Sequence, residues 1–427
     1  LPDDVASVQE TETAVLVAAQ LPASSDEQTA ESLAELEALA RTAGAEGVAT
    51  IVQKRSTYNP ATVLGSGKVD EIEQVIRRTG ATLAIFDNEL SITQQDRLAS
   101  MLDARVIDRT ALILDIFAQH ANTAEGRTQV ELAQYSYLLP RIRGQGLELS
   151  RMAGGIGTRR GPGETKLEVD RRRIRKRMHK LERDLIQMEE VRLTQRKQRT
   201  RAGLPSVCLV GYTNCGKSSL LNRLTGSSVL VEDQLFSTLD STTRRLELPD
   251  TGVAVVSDTV GFIRKLPHEL VAAFHSTLEV VRDADLLLHV IDASREETMA
   301  ERIEAVGEVL NELGAEDIPA TLVFNKMDAV EPAIAGFLRE RYPSAIMTSA
   351  TTGEGIEELI GSISSSVSET RRATLHIPAS RGDIVSAVYR EGTVLSREYV
   401  DDIVVMEVSM PRGGLDSFAA YMAGAGK

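Results

Sequence analysis

Tryptophan is absent from this 427-residue chain, phenylalanine and tyrosine contribute eight residues each, and cysteine occurs only twice. Two cysteines cannot staple a secreted scaffold. Cys208 falls in a predicted buried strand and Cys215 in a glycine-rich loop, so a structural disulfide is not expected and a reducing compartment fits. No apolar run approaches the roughly 18 residues that a membrane-spanning helix needs. The opening Leu1-Pro2-Asp3-Asp4 lacks the basic and apolar regions of a secretory signal. A cytoplasmic protein with no membrane partner is the expectation.

Basic charge is scarce overall, with a formal net charge of -14, but it is unevenly spread. From Arg141 to Arg201 there are 19 Lys or Arg against 8 Asp or Glu, a local balance of +11. Charge of one sign gathered in one segment marks a surface for polyanions, which the net figure conceals.

The chain is long enough for two to four domains, each with its own core. Strand-like runs at Ala14–Ala18, Val48–Val52, Thr82–Phe86 and Arg105–Ile107 alternate with helical patterns at Glu31–Ala43 and Val69–Arg78. This alternation predicts an N-terminal α/β domain over 1–123 with a largely parallel sheet. Over 124–203 the pattern becomes a long antiparallel helical hairpin. Its second helix carries Ile174, Met178, Leu181, Leu185 and Met188 as a narrow apolar seam, with Tyr135, Leu138 and Leu139 as the facing candidates. The hairpin tip, Pro140 to Pro162, interleaves glycines with Arg141, Arg143, Arg151, Arg159 and Arg160, a composition suited to close approach and phosphate forks on RNA. Residues 204–370 read as a central P-loop domain with a mixed, mostly parallel sheet. Residues 371–427 read as a small C-terminal α+β domain. The fold class is therefore α/β throughout the larger domains.

The most informative stretch is Gly211, Tyr212, Thr213, Asn214, Cys215, Gly216, Lys217 and Ser218, which follows the strand Val207–Val210 and opens a helix. Backbone N–H groups and a helix N-terminus then face the phosphates, Lys217 reaches the β- and γ-phosphates, and the Ser218 hydroxyl is placed for Mg²⁺. Asp258, Thr259, Val260 and Gly261 follow a second apolar strand, with Asp258 as a metal-side carboxylate and Gly261 as a γ-phosphate sensor. Asn325, Lys326, Met327 and Asp328 follow a third. A carboxylate at Asp328 can accept hydrogen bonds from guanine N1 and N2, a donor pair that adenine lacks. Ser349, Ala350 and Thr351 complete the base side. Between these motifs lies the switch candidate Phe236, Ser237, Thr238, Leu239 and Asp240. Thr238 is the candidate second hydroxyl on Mg²⁺, and Thr242 and Thr243 are the alternatives. Motifs of unrelated chemistry in this order imply a guanine-nucleotide site that uses GTP and GDP.

The position after Gly261 is Phe262, which cannot orient a water as a glutamine would. Slow intrinsic hydrolysis is expected. At Gly65-Ser-Gly-Lys68, Thr62 stands where a P-loop needs its first glycine and Val69 where it needs a hydroxyl. A turn opening a helix is the better reading there.

The chain resembles the HflX family of translation-factor GTPases, in the Obg-like and TrmE-Era group. The resemblance runs through Val106-Ile-Asp-Arg-Thr110, Gln129-Val-Glu-Leu-Ala-Gln134, Gly157-Thr-Arg-Arg-Gly-Pro-Gly-Glu-Thr165 and Phe236-Ser-Thr-Leu-Asp240. It implies catalytic roles for Lys217, Asn214, Thr238 and Gly261, and Mg²⁺ held by Ser218, Thr238 and Asp258. Relatives with an asparagine at the position of Asn214 use it for K⁺. Cys215 and Ser237 stand where the family more often has alanine. The implied partner is the large (50S) ribosomal subunit, with 23S rRNA near the peptidyl-transferase centre. The implied action is splitting of stalled or idle 70S ribosomes by a monomer that is partly ribosome-associated. A ribosome-assembly role and ATP-dependent RNA remodelling are the alternatives.

Overall fold

The computed structural model describes residues 12–142, 166–201, 204–226, 236, 242–249, 252–263, 280–367, 370–400, 402–411, 414–415 and 417–422. They divide into two compact units, one running to Met188 and also holding Phe236, the other beginning at Glu189.

The first unit is built on a parallel sheet ordered β2-β1-β3-β4, with β1 Glu12–Gln20, β2 Ala45–Lys54, β3 Leu83–Phe86 and β4 Arg105–Asp108. The central β1 is buried on both faces from Ala14 onward, as its unbroken apolar run requires. Helices α2 (Ser66–Thr79) and α3 (Ile92–Leu102) pack together over Val15, Val17, Ala84 and Phe86. Helices α1 (Asp26–Thr42) and α4 (Arg109–His120) pair with each other on the opposite face. Starts are set locally: Ser25 with Gln28, and Ser91 with Gln94, form reciprocal capping boxes on α1 and α3. Gly65 is simply the N-cap of α2, and Lys68 pairs with Glu71 one turn on, at 2.6 Å, in keeping with the turn reading.

Helix α5 (Ala124–Leu138) and the 36-residue α6 (Lys166–Arg201) form the predicted helical pair. On α6 the expected seam is present, with Ile174 and Leu181 buried and Met178, Leu185 and Met188 half-buried. On α5 the buried positions are Gly126, Gln129, Val130, Ala133 and Tyr137, while the expected Tyr135, Leu138 and Leu139 are only half-buried. The reason is Tyr137, whose hydroxyl donates to Asp108 at 3.1 Å and turns that face inward.

The second unit contains a six-stranded sheet ordered β10-β9-β8-β5-β7-β6. These are β5 Ser206–Gly211, β6 Thr243–Leu248, β7 Gly252–Asp258, β8 Leu286–Asp292, β9 Ala320–Asn325 and β10 Ile346–Met347. Only β6, at the edge, runs antiparallel. Helices α7 (Lys217–Thr225), α8 (Met299–Glu312), α9 (Pro332–Arg341) and α10 (Ile356–Val367) complete it. Val207, Leu209, Leu220, Leu288 and Val290 are fully buried, each worth about 1.5–3 kcal/mol relative to exposure. The C-terminal strands β11 (Thr370–Pro378), β12 (Thr393–Val400) and β13 (Ile403–Pro411) make an antiparallel sheet ordered β11-β13-β12, with α11 (Gly382–Glu391) beside it. The hairpin expected from Thr393 to Met410 is the β12–β13 pair.

Candidate nucleotide site

The parallel register places the ends of β5, β7, β8 and β9 along one edge of the sheet, and the motifs Gly211–Ser218, Asp258–Gly261, Asn325–Asp328 and Ser349–Thr351 lie at that edge. Strand β5 ends at Gly211, where a Cβ would run into the Val290 carbonyl, so only glycine lets the chain turn there. Gly216 has φ +92° and caps α7 with no side-chain hydrogen bond, which leaves the first-turn N–H groups facing the loop. Asn214 also lies in the left-handed region at φ +59°. Lys217 is buried, and its ammonium donates to the carbonyls of Gly211 at 3.2 Å and Tyr212 at 2.9 Å. Its charge is thus held inside the loop. Burial pushes the neighbouring Cys215 thiol up, with Lys217 opposing that shift, so the cysteine is an inert wall of the loop.

Ser218 and Asp258, both expected on the metal side, lie side by side. The Ser218 hydroxyl donates to the Asp258 carboxylate at 2.6 Å, and both residues are buried. A hydroxyl and a carboxylate this close form a hard-oxygen donor set, which fits Mg²⁺. Thr259 ties its segment to β5 by donating to the Leu209 carbonyl at 2.7 Å. Beyond it, Phe262 N–H donates to Gly211 O at 3.1 Å and Thr213 N–H to Phe262 O at 2.8 Å. Gly261 is thereby pressed on the loop: a Cβ there would sit 2.8 Å from the Thr213 backbone and 3.0 Å from Lys217 Nζ.

On the base side, the Asn325 amide donates to Cys215 O at 2.9 Å and its oxygen accepts from Ala350 N–H at 3.0 Å. One side chain therefore joins the phosphate loop, β9 and the Ser349–Thr351 turn. Ser349 donates to Asp328 at 2.5 Å, and Asp328 is otherwise exposed. Lys326, at φ +65°, donates to Asn214 O at 2.8 Å and to Asp292 at 2.9 Å.

Other expected residues are placed differently or lie outside the described residues. Ser237, Thr238, Leu239 and Asp240 belong to the latter group, as do Arg143, Arg151, Arg159 and Arg160. Phe236 is buried in the first unit, edge-on to Phe117 with ring centroids 4.7 Å apart. Thr243 shares a 2.9 Å hydrogen bond with Ser257 across β6 and β7, which occupies that alternative within the sheet. Arg141 is engaged internally: it lies over the Tyr137 ring, 3.4 Å from its centroid, and donates to Tyr137 O and Leu90 O at 2.9 and 3.1 Å. It also faces Asp108 at 3.7 Å. Arg141 thus anchors the base of the arm and is set apart from the candidate RNA contacts.

Three residues of this edge carry no motif. Asp292 holds Lys326, Arg302 lies 4.8 Å from the centroid of the Tyr212 ring, and buried His289 neighbours Lys217. Burial, then the Lys217 charge, depresses the His289 imidazole to about 4, so it is neutral at ordinary pH. Asp292 could have been suspected from its place at the end of an apolar strand, where Asp258 also stands.

Comparison with known proteins identifies a family. Residues 30–118, 120–199, 206–326 and 338–414 match family models described as GTP-binding GTPase N-terminal, GTP-binding GTPase middle region, 50S ribosome-binding GTPase and HflX C-terminal domain. GTPase HflX of Escherichia coli (strain K12) is 45% identical over 386 residues, covering 89% of this chain and 90% of that protein. GTPase HflX of Caldanaerobacter subterraneus subsp. tengcongensis is 51% identical over 334 residues, covering 78% and 77%. Among solved structures, a GTP-binding protein from the hyperthermophilic archaeon Sulfolobus solfataricus in complex with GDP is 24% identical, with a TM-score of 0.43, over 83% of this chain and 98% of that one.

Proposed function

The chain belongs to the HflX family of GTPases, and from that premise we propose that it is a GTP-driven factor of the large ribosomal subunit that separates stalled or idle 70S ribosomes. Its reaction is hydrolysis of GTP to GDP and phosphate. The observation that carries the proposal is a nucleotide-site edge, with a P-loop, Asp258–Gly261, Asn325–Asp328 and Ser349–Thr351, in the same chain as a long basic helix. At 1.5 Å per residue the 36 residues of α6 span about 54 Å. Arg172, Arg173, Arg175, Lys176, Lys180 and Arg183 are exposed along it. Such a row supplies phosphate affinity without sequence reading. The family model matched by residues 206–326 carries the description of a 50S ribosome-binding GTPase, which supports the same partner.

In this reading the loop N–H groups and Lys217 hold the β- and γ-phosphates, and Asp328 accepts the guanine N–H donors. Ser218, Asp258 and Thr238 would hold Mg²⁺, which would supply positive charge against the phosphate oxygens. Asn214 would offer its side chain to K⁺, which would add positive charge near the phosphates. Gly261 reports the γ-phosphate: the Phe262 pairing with Gly211 and Thr213 holds Gly261 close to the loop and Lys217, where its N–H can reach a third phosphate. Phe262 offers the attacking water no hydrogen bond, so turnover waits for the ribosome to order the site. GTP favours the ribosome-bound form and hydrolysis releases it. Arg159 and Arg160 are the proposed contacts of the arm with 23S rRNA near the peptidyl-transferase centre.

Sucrose gradients of intact ribosomes incubated with the protein test this. With a non-hydrolysable GTP analogue, 70S particles should fall into subunits and the protein should travel with the large one. With GDP both effects should vanish. Binding to the large subunit with no loss of 70S particles would instead favour a role in subunit assembly.

A further inference from the structure

The base side of the site contains a carboxylate that none of the nucleotide motifs uses. Asp292 closes β8 directly opposite Asn325, the first residue of the base-reading motif, and Ala293 N–H donates to Asn325 O at 2.9 Å. The Asp292 side chain is nearly fully buried. A buried carboxylate is tolerated only when its oxygens are satisfied. One oxygen accepts from Ser294 N–H at 3.1 Å and the Ser294 hydroxyl at 2.5 Å, and the other accepts from the Lys326 ammonium at 2.9 Å. The same ammonium donates to Asn214 O at 2.8 Å. Lys326 thus spans from the end of β8 to the phosphate loop. Lys326 at φ +65° and Asn214 at φ +59° both hold a left-handed conformation that non-glycine residues keep only when their surroundings enforce it.

We propose that Asp292 is a positioning residue for the guanine nucleotide. It fixes the Lys326 ammonium on the Asn214 carbonyl, so that the lysine stem becomes a rigid strut along the base pocket and the phosphate loop is kept in register with β9. Ser294 locks the carboxylate in the orientation that leaves one oxygen for the lysine. The proposal rests on the nucleotide-site reading above. It adds a coupling which that reading lacks: the residue that covers the base also holds the loop that cradles the phosphates. Because the strut lies on the base side, its loss should weaken GDP and GTP alike. A defect in the γ-phosphate sensor would separate them.

The test is the dissociation rate of fluorescently labelled GDP and of a labelled non-hydrolysable GTP analogue from the full-length protein. Wild type and Asp328→Asn come first: if Asp328→Asn leaves binding unchanged, the nucleotide-site reading itself fails and takes the proposal with it. Given that control, Asp292→Asn should speed release of both nucleotides about ten-fold, the low end for a charge-assisted hydrogen bond because Lys326 is partly exposed. In a Lys326→Met background, where the stem remains and the ammonium is gone, the same Asp292→Asn change should alter the rate less than about two-fold, the mark of action through one shared contact. A full ten-fold increment in that background would overturn the proposal, as would unchanged release from a folded Asp292→Asn protein. If Asp292→Asn does not fold, Asp292→Glu, which keeps the charge but moves it by one methylene, should give an intermediate acceleration that likewise disappears with Lys326→Met.

Discussion

Adding one methyl group at Gly261 probes the switch more sharply than removing any charged residue. The Cβ that Gly261→Ala introduces would stand 2.8 Å from both Thr213 Cα and Thr213 Cγ2 and 3.0 Å from Lys217 Nζ. Two of these are closer than real Cβ contacts come, and Thr213 Cα is backbone that cannot rotate away. The φ of Gly261 lies outside the left-handed region, so the cost of Gly261→Ala is steric and not torsional. Overpacking of this kind costs about 1–3 kcal/mol. Relief requires the segment to lift from the loop, which breaks the Phe262 N–H to Gly211 O and Thr213 N–H to Phe262 O hydrogen bonds. With GDP bound, a lifted segment loses nothing further. With GTP bound, the Gly261 N–H must come back toward the γ-phosphate, and the methyl group opposes it. At 1.4 kcal/mol per decade, affinity for a GTP analogue should fall roughly ten- to hundred-fold while GDP affinity changes less than about three-fold. Calorimetric titration of both nucleotides reads this ratio directly. Equal losses for the two nucleotides, or no loss for either, would refute the role of Gly261 as a sensor.

Further expectations concern stability and ion dependence. Arg109 is buried with Asp87 at 2.6 Å and with Glu35, so Arg109→Met should strand two carboxylates and destabilise the first unit by about 3–5 kcal/mol in urea unfolding, with partial recovery in a triple variant that also carries Asp87→Asn and Glu35→Gln. His289 is depressed to about 4 in the folded protein from an ordinary 6.5, so the unfolded chain binds the extra proton between those values. Its contribution, on the order of 3 kcal/mol, is complete above pH 6.5 and is lost as pH falls toward 4. His289→Leu should flatten that limb of the stability profile, and an unchanged slope would exclude the histidine as its source. Replacing Na⁺ with K⁺ should raise GTP turnover, and Asn214→Ala should abolish the difference; equal rates of the wild type in both salts would remove Asn214 from the mechanism.

The phosphate loop is legible in the sequence because its demands are local: a strand, glycines at positions where side chains collide, and a helix that begins at Lys217. The alternation of the first unit and the hairpin of the C-terminal sheet are legible for the same reason, since each depends on neighbours a few residues away. The antiparallel edge strand β6 is less so, because Thr243 and Ser257 meet only after the sheet has formed. Arg141 illustrates the limit. Composition groups it with the basic tip, but Leu90 and Asp108 from two other segments, together with Tyr137 one turn back, draw it into the protein. Asp292 and His289 escape motif reading because their meaning lies in contacts with Lys326 and Lys217, which arrive from other elements distant in sequence.

In the proposed function, one edge of the second unit holds a guanine nucleotide through the loop at Lys217 and the carboxylate at Asp328. Calorimetric titration of GDP and ADP into the full chain tests it most directly. Two hydrogen bonds to a charged acceptor predict a preference for GDP of at least about a hundred-fold, collapsing in Asp328→Asn. Equal affinity for the two nucleotides in the unaltered protein would contradict the account.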